Sequence, residues 1–397
     1  MDMITNLKAE VLDVLQNNIL LYWQIKMQDI DNGGFFGQMT GEESLNPEAE
    51  KGAILNARIL WTYSAAYRLL KKEEYLTMAT RAKRYVIDKF FDKEFGGVYW
   101  SLDKNGNPLD TKKQIYALGF AIYGLSEYHR ATGDKEALDY AINLFHSIEK
   151  YSFDKVKNGY LEAFTREWNE IEDMRLSEKD ANEKKTMNTH LHILEPYTNL
   201  YRVWKDEELK NQIKNLIVVF LDKILNKETN HLKLFFDEEW NGKDHIVSYG
   251  HDIEASWLIY EAASVLGEDE LLKRVEKVIP KIADAASEGL RGDGGMVYEM
   301  NLETNEVDAD RHWWVQAETV VGFFYLYKHF QREDALEKAV ACWNYIKKHL
   351  IDYSNGEWYW SIKADGTVNT IDDKAGFWKC PYHNGRMCME IIENNIL

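Results

Sequence analysis

The chain has 397 residues, of which 45% are hydrophobic, and it carries a formal net charge of −18 at neutral pH. This acidic balance argues against nucleic acids and anionic membranes as partners, because both attract basic surfaces, but it does not affect an uncharged sugar. The N-terminus lacks an apolar signal-peptide core, no run of eighteen apolar residues occurs, and three cysteines lack a CxxC motif, so we expect a cytoplasmic protein with reduced thiols.

A glycine-centred pattern recurs six times along the chain. Each copy places a Gly or Gly-Gly after polar turn residues and leads into an aromatic-rich extended stretch. The copies lie at Gly33, Gly96, Gly159, near His231, at Gly294 and at Gly356, between 62 and 72 residues apart. The copy near His231 is degenerate. A fixed period of this size is typical of a repeat architecture.

Two kinds of helical pattern alternate between these copies. Patterns that are apolar nearly all round predict buried helices at 54–70, 114–130, 187–204, 251–266, 312–330 and 383–394. Amphipathic patterns predict peripheral helices at 5–24, 75–91, 135–150, 208–225, 270–287 and 334–350. This alternation predicts an all-α (α/α)6 barrel and a single domain over residues 1–397. A charged insertion at 165–186 is either a solvated loop or a lid over one mouth of the barrel.

Polar residues collect in the first turns of the predicted buried helices. In such a barrel these helices run parallel, so their first turns surround one mouth. Burying polar side chains there without a ligand or hydrogen-bond partners would cost stability. They are Arg58, Tyr116, Asn188, His192, His251, Asp252, Glu254, His312, Trp313, Trp314, Gln316, Glu318, His383, Asn384 and Arg386. We therefore predict a funnel-shaped ligand site at this mouth.

Three histidines, His192, His251 and His383, are the candidate proton-transfer groups, since imidazole can take and return a proton near neutral pH. Helical spacing places His190 on the side of the helix opposite His192. This argues against a metal site in which both histidines of the HxH motif bind the ion. Glu254 follows His251 by one helical turn and should favour its charged form. The helix N-terminus opposes this, so we expect a pKa near the working pH.

The same residues leave two other chemistries open. A metal site would draw its ligands from His192, His251, Glu254 and His383, although sugar isomerases that use metals usually add more carboxylates. A glycosidase needs two carboxylates that flank a glycosidic bond. The candidates for it are Asp252, Glu254 and Glu318. No two of these carboxylates are recognisable as a catalytic pair, so the residues at the mouth favour proton transfer over glycosidic cleavage.

Longer sequence motifs restrict the possible functions. They are NTHLHILEPYTNLY, SYGHDIEASWL, RHWWVQAETVVGF, FWKCPYHNGRMCMEI, KGAILNARILWTYSAAYR and GGVYWSLDKNG, and they run essentially from end to end. These segments resemble the cellobiose 2-epimerases of the N-acylglucosamine 2-epimerase superfamily. The resemblance implies an (α/α)6 barrel that reversibly epimerises C2 of the reducing-end glucose of a β-1,4-linked disaccharide. The reaction would pass through ring opening and an enediolate, with no metal and no organic cofactor.

The resemblance also implies roles for individual residues. His251 and His383 match the acid/base pair, and His192 matches a third essential histidine. The residues that match substrate-binding positions are Arg58, Tyr116, Asn188, Glu254, Tyr298, one of Trp313 and Trp314, and Trp378. Trp378 would stack on the non-reducing sugar. The expected partner is a small disaccharide, bound by a monomer or weak homodimer.

Two alternative functions and one side activity remain beside the glycosidase. A monosaccharide enzyme, such as an N-acylglucosamine 2-epimerase or a mannose isomerase, would use the same chemistry, but Trp378 favours a disaccharide. Aldose–ketose isomerisation is a natural minor activity, because returning the proton to C1 yields the ketose. A non-catalytic sugar-binding protein would not need all three histidines.

Overall fold

The computed structural model of the protein describes residues 3–243 and 245–393. Six of the described helices are buried on nearly all sides. They are α3 (Ala53–Leu70), α5 (Ile115–Thr132), α7 (Met187–Val203), α9 (Tyr249–Leu266), α12 (Trp313–Phe330) and α14 (His383–Glu393). They correspond to the six predicted inner helices. The last predicted residue of the sixth, Asn394, lies outside the described residues.

The remaining helices form an outer layer and expose their charged sides. They are α1 (Met3–Val14), α2 (Leu21–Lys26), α4 (Glu73–Tyr85), α6 (Lys135–Tyr151), α8 (Glu207–Val219), α10 (Asp269–Glu276), α11 (Ile279–Ala286) and α13 (Glu333–Tyr345). A π-helical segment, Leu15–Leu20, joins α1 to α2, and shorter π-helical segments extend α4, α8 and α13.

The fifth outer helix differs from the prediction. The sequence predicts one helix over 270–287, but the structure divides it into α10 and α11, with a break at Lys277 and Val278. Pro280 explains the break, because its ring lacks an N–H and clashes with the carbonyl of Glu276 in a continuous helix. At the start of α11 the missing N–H has no cost.

The inner helices form a closed ring. α3 packs on α5, α5 on α7, α7 on α9, α9 on α12 and α12 on α14, and α14 returns to α3. Inner helices also contact the outer helices that follow them, as α3 contacts α4 and α5 contacts α6. The chain therefore folds as the predicted (α/α)6 barrel. Among the described residues, no helix combines the length and apolar character that a membrane span needs.

Each glycine-centred copy forms a tight antiparallel bridge. The bridges are Gln28–Phe35, Phe91–Val98, Phe153–Tyr160, Leu225–Leu232, Leu290–Met296 and Ile351–Trp358. The fourth bridge belongs to the degenerate copy near His231, so all six repeats share this element. Gly159 has a φ of +87°, which only glycine adopts without steric cost.

Short strands link neighbouring repeats at the mouth where the inner helices begin. They are β1 (Lys51–Gly52), β2 (Ser101–Leu102), β3 (Pro108–Asp110), β4 (Lys113–Gln114), β5 (Ala163–Phe164), β6 (Lys185–Thr186), β7 (Phe235–Phe236), β8 (Ile246–Ser248), β9 (Glu299–Asn301), β10 (Val307–Asp308), β11 (Arg311–His312) and β12 (Ser361–Ile362). Strands that precede an inner helix pair antiparallel with a strand of the next repeat, as β1 does with β2 and β8 with β9. These pairings hold the helix starts in a ring.

Lysine–aspartate pairs, each with a buried lysine, strengthen this mouth. The pairs, with their N···O distances, are Lys51–Asp29 (2.6 Å), Lys113–Asp92 (2.9 Å), Lys185–Asp154 (2.9 Å) and Lys374–Asp352 (2.6 Å). Burial raises the pKa of Asp352, but the hydrogen bonds from Lys374 and Asn355 together more than offset this and lower it to about 2. Each lysine precedes an inner helix and each aspartate lies in a turn of its repeat, so the pairs fix hairpins to helix starts.

The charged insertion at 165–186 forms a long connection at the same mouth. The carbonyl of Met174 accepts a hydrogen bond of 3.0 Å from Nε2 of Gln114. Farther along, the charge of Asp180 is close enough to Tyr298 to help burial raise the pKa of that phenol. The insertion therefore extends from the third repeat towards the fifth.

Candidate active site

The first two turns of three inner helices bring the predicted histidines to one mouth of the barrel. His192 lies in α7, His251 in α9, and His383 begins α14. The indole of Trp314 lies against two of them, with its ring centroid 4.8 Å from that of His251 and 5.8 Å from that of His383. His192 is close enough to both to influence their protonation.

His190 points away from this group, as its spacing predicts. Its Nδ1 lies 2.6 Å from the carbonyl of Thr186, and its Nε2 accepts a 2.9 Å bond from the backbone N–H of Tyr160. Burial lowers its pKa to about 4. With both ring nitrogens engaged, His190 is a structural residue that joins a hairpin to α7.

Two of the site histidines are anchored by buried carboxylates. Nδ1 of His383 lies 2.7 Å from Oε1 of Glu318, and Nδ1 of His192 lies 2.9 Å from Oε2 of Glu195. An ionised carboxylate only accepts hydrogen bonds, so Nδ1 carries the proton in each ring. This leaves Nε2 as the nitrogen that is free to act as a base.

The partner of His251 is not the one that the sequence suggests. Spacing places Glu254 beside His251, but Nδ1 of His251 lies 2.7 Å from the hydroxyl of Ser248. Glu254 instead accepts a 2.7 Å bond from Arg386, and its Oε1 is 3.8 Å from Nδ1 of His383. The side chain of Glu254 therefore pairs with the guanidinium of Arg386 on α14 and not with the histidine of its own helix.

A buried guanidinium holds three carboxylates beneath the histidines. Nη2 of Arg386 donates to Glu254 at 2.7 Å and to Glu318 at 2.6 Å, and its Nη1 donates to Glu195. All four side chains are buried. Because two of these carboxylates anchor histidines, Arg386 couples the positions of the two rings.

Burial keeps the three imidazoles neutral in the free protein. It lowers the pKa of His251 to about 3, and it lowers the pKa of His192 even though Glu195 opposes the shift. For His383, the positive charge of Arg58 adds to burial and holds the pKa well below its usual range. The expected balance near the working pH is therefore wrong, because desolvation outweighs the carboxylates. Neutral imidazole is the form that a general base requires.

The acids near His383 do not form a ready metal site. Glu254, Glu318 and His383 are the group in the described chain whose potential ligand atoms all lie within 4.8 Å of one another. Arg386 donates to both of these carboxylates and already supplies the positive charge that they need. A divalent cation would have to displace a buried guanidinium, so the residues present do not fit one.

The carboxylates also lack the arrangement of a glycosidase. Asp252 is turned away from the mouth, since its Oδ2 lies 2.7 Å from Nδ1 of His231. Glu254 and Glu318 both accept from the same nitrogen of Arg386 and share one side of the site. No pair of these acids flanks a space for a glycosidic bond in the manner that hydrolysis requires.

Unpaired polar atoms surround the histidines. Nη2 of Arg58 donates to the Tyr116 hydroxyl at 2.8 Å, but its Nε is buried without a hydrogen-bond partner among the described residues. The same holds for Oδ1 of Asn188 and Oε2 of Glu254. An unsatisfied buried polar atom costs about 1–3 kcal/mol. A ligand with several hydroxyl groups could satisfy both the donor and the acceptors.

The structure separates the two neighbouring tryptophans. Trp313 is buried against Trp360, with ring centroids 4.5 Å apart, whereas Trp314 is half-buried and contacts the histidines. Tyr298 stacks on His312 at 4.0 Å and meets the edge of Trp314 at 6.2 Å. This geometry favours Trp314 over Trp313 as the sugar contact and places Tyr298 at the rim.

Trp378 lies in an aromatic shelf next to the polar pocket. Its half-buried ring is 5.8 Å from Trp100, 5.5 Å from Phe377 and 6.2 Å from Tyr116. Its carbonyl accepts a 3.4 Å bond from Arg58, which ties the shelf to the site. Such an arrangement offers one polar position for a reacting sugar and an apolar face beside it.

The sequence analysis missed the anchoring roles of Glu195, Ser248, Glu318 and Arg386. A signal existed for Glu195, since it follows His192 by three residues and shares its helical face. Glu318 gave no local signal, because it bonds a histidine of a different helix, 65 residues away.

A second cavity, of about 690 Å³, opens at the other end of the barrel. The central and last turns of the inner helices line it. Its charged groups include Arg68 and Arg202, which pair with Glu127 at 2.6 Å and Glu261 at 2.7 Å. Paired charges and the absence of the anchored histidines from its lining make it a poor candidate for the chemistry.

Comparison with known proteins agrees with this architecture. The chain is 67% identical to a cellobiose 2-epimerase of Bacteroides fragilis, over 97% of this chain and 98% of that protein. It is 43% identical to a cellobiose 2-epimerase of Ruminococcus albus, over 98% of this chain and 99% of that protein. The solved structure of cellobiose 2-epimerase from Bacillus thermoamylovorans superposes with a TM-score of 0.94 at 43% identity, covering 98% of this chain and 99% of that one.

The family model described as N-acylglucosamine 2-epimerase matches residues 34–385. This range includes all three site histidines and ends one residue before Arg386, which bonds their carboxylate anchors. The chain belongs to the N-acylglucosamine 2-epimerase family.

Proposed function

We propose that the protein reversibly epimerises C2 of the reducing-end glucose of a β-1,4-linked disaccharide, converting cellobiose to glucosyl-mannose and lactose to epilactose. The observation that carries this proposal is the group of three neutral histidines at one mouth, surrounded by buried polar atoms that lack partners. The names of the relatives that are 67% and 43% identical support it.

The chemistry follows from the acidity of a C–H bond beside a carbonyl. The sugar ring first opens, so that C1 becomes an aldehyde. A histidine then takes the proton from C2, and the electrons of that bond form an enediolate whose negative charge rests on O1. Arg58, with an unpartnered donor, is placed to stabilise this charge. Return of a proton to the opposite face of C2 gives the mannose configuration.

We assign the proton transfers to His383 and His251, whose rings both lie against Trp314. In one direction His251 first takes up a proton from solvent, His383 then accepts the C2 proton, and His251 donates its proton to the other face of C2. His383 afterwards releases its proton to solvent, and in the reverse direction the roles exchange. His192 hydrogen-bonds the substrate in this scheme. Delivery of the proton to C1 instead of C2 yields the ketose as a minor product.

Trp378 is proposed to bind the non-reducing sugar, because the aromatic shelf lies beside the histidines rather than among them. Replacing it with alanine should lower kcat/KM for cellobiose by a factor that corresponds to a loss of about 1–3 kcal/mol in transition-state binding, the range for a buried aromatic contact. Any action on free glucose should change much less. Comparison of kcat/KM for the two sugars measures this, and an equal loss on both would make Trp378 a structural residue.

A substrate panel distinguishes this function from the alternatives. We expect proton NMR to show conversion of cellobiose and lactose to their C2 epimers, with much lower kcat/KM for mannose and N-acetylglucosamine. Preference for either monosaccharide would identify a monosaccharide enzyme instead. Release of free glucose from cellobiose would identify a glycosidase.

Further features complete the proposal. We propose one domain for the whole chain, since the buried hydrophobic residues form one cluster. The insertion at 165–186 is proposed as a lid over the substrate, because it extends across the mouth. Three buried cysteines without disulfides suit a cytoplasmic location. The proposed assembly is a monomer or weak homodimer.

A further inference from the structure

The three site histidines do not have equivalent partners. Carboxylates lie at Nδ1 of His192 and His383, but a hydroxyl lies at Nδ1 of His251, 2.7 Å away. This hydroxyl belongs to Ser248, the last residue of β8, which is 3% exposed. A carboxylate only accepts, whereas a hydroxyl can either accept from Nδ1–H or donate to a bare Nδ1.

Ser248 also does not cap the helix that it precedes. It is the N-cap residue of α9, yet its side chain makes no capping hydrogen bond. Thr186, at the corresponding position before α7, caps its helix with a 3.0 Å bond from the N–H of Thr189. A serine cap normally stabilises a helix, so the hydroxyl of Ser248 is used for the imidazole instead.

We propose that Ser248 is a positioning residue that orients His251 without placing a negative charge at its Nδ1; this rests on the proposed function. When His251 carries a proton on both nitrogens, Nδ1–H donates to the Ser248 oxygen, and Nε2–H goes to C2 of the enediolate. The neutral ring that remains keeps its proton on Nδ1 and the same bond. No negative charge at Nδ1 holds the second proton, so His251 releases it readily.

Other charged groups act on His251 in addition to Ser248. His192 on α7 lowers its pKa and Glu318 on α12 raises it, both to a smaller extent than burial. Glu299 of β9 lies opposite Ser248 in the strand pair, and burial raises its pKa to about 7. The experiment therefore changes only the group at Nδ1 and leaves these neighbours in place.

The test compares three substitutions in the full-length protein. Ser248→Ala should lower kcat for C2 epimerisation of cellobiose about 10- to 100-fold, with KM changed less than about 3-fold, by analogy with the loss when the outer partner of a metal-bound imidazole is removed. Ser248→Thr keeps the hydroxyl and should restore most of the activity. Ser248→Asp places a carboxylate at Nδ1 and should raise the pKa of His251. In the direction in which His251 acts as the base it must be neutral, so the acid limb of kcat/KM measured in that direction should then move to higher pH.

Two further measurements separate a positioning role from a structural one. Ser256→Ala removes another buried hydroxyl of α9, which bonds the carbonyl of Ile253, and should leave kcat nearly unchanged. NMR titration of the labelled imidazoles in the free protein reports the pKa of His251 without turnover. An unchanged titration in Ser248→Asp, or wild-type kcat in Ser248→Ala, would overturn the proposal. An inactive wild-type protein would instead refute the proposed function, and the titration would still decide the role of Ser248.

Discussion

Replacing His383 with alanine should reduce the turnover of cellobiose by at least about 100-fold while the protein remains folded. A positioned acid–base group contributes roughly 100- to 10,000-fold to a rate, and His383 has no substitute with the same anchor. The fold should survive, because Glu318 retains its bonds from Arg386 and Trp257 when the imidazole is removed. Turnover by NMR and helical content by circular dichroism measure the two effects separately.

His329 provides a matched control for this substitution. It lines the cavity at the other end of the barrel, far from the proposed chemistry, so His329→Ala should keep turnover within about two-fold. A folded His383→Ala protein that exchanged the C2 proton at nearly the wild-type rate would show that His383 is not the base. His192, with its own carboxylate anchor, would then be the leading candidate.

Replacing Arg386 with methionine should destabilise the protein by about 3–5 kcal/mol, the cost of removing one partner from a buried ion pair. The guanidinium is buried and bonds three buried carboxylates, which would remain close together without a cation. Without the guanidinium the pKa values of all three carboxyls would rise, so the loss should be largest at neutral pH and should shrink as the pH falls and the acids take up protons. Urea unfolding of both proteins between pH 5 and 8 measures this.

Arg202 offers the corresponding surface control. Its 2.7 Å pair with Glu261 is partly exposed, and such pairs contribute only about 0–1 kcal/mol. Arg202→Met should therefore lose little stability. A loss below about 1 kcal/mol in Arg386→Met would mean that the carboxylates rearrange or share protons at little cost. The guanidinium would then not be what holds the histidine anchors in place.

The barrel was predictable because its signals are local and repeated. An apolar surface on all sides distinguishes α3 from α4 within a single repeat, and a period of about sixty residues joins the repeats. The degenerate copy near His231 still forms its bridge. The break at Pro280 was predictable in principle, since proline disrupts a helix interior whatever the surrounding periodicity.

The side-chain partners within the site were less accessible to sequence reasoning. His251 and Glu254 share a helical face, yet the glutamate bonds Arg386, 132 residues away on another helix. Arg386 and Glu195 are 191 residues apart and meet only because the ring closes. Helical spacing gives the direction in which a side chain leaves its helix. The partner of a long, charged side chain is decided by burial, which brings opposite charges together in the centre of the barrel.

The most direct test of the mechanism follows hydrogen at C2. We propose a proton NMR time course of cellobiose with the enzyme in D2O, stopped early in the reaction. Proton transfer by His383 and His251 on opposite faces predicts that the first glucosyl-mannose formed carries deuterium at C2, because the donating imidazole exchanges with solvent. Epimer that retained protium at C2, or cellobiose consumed without any epimer, would contradict the account.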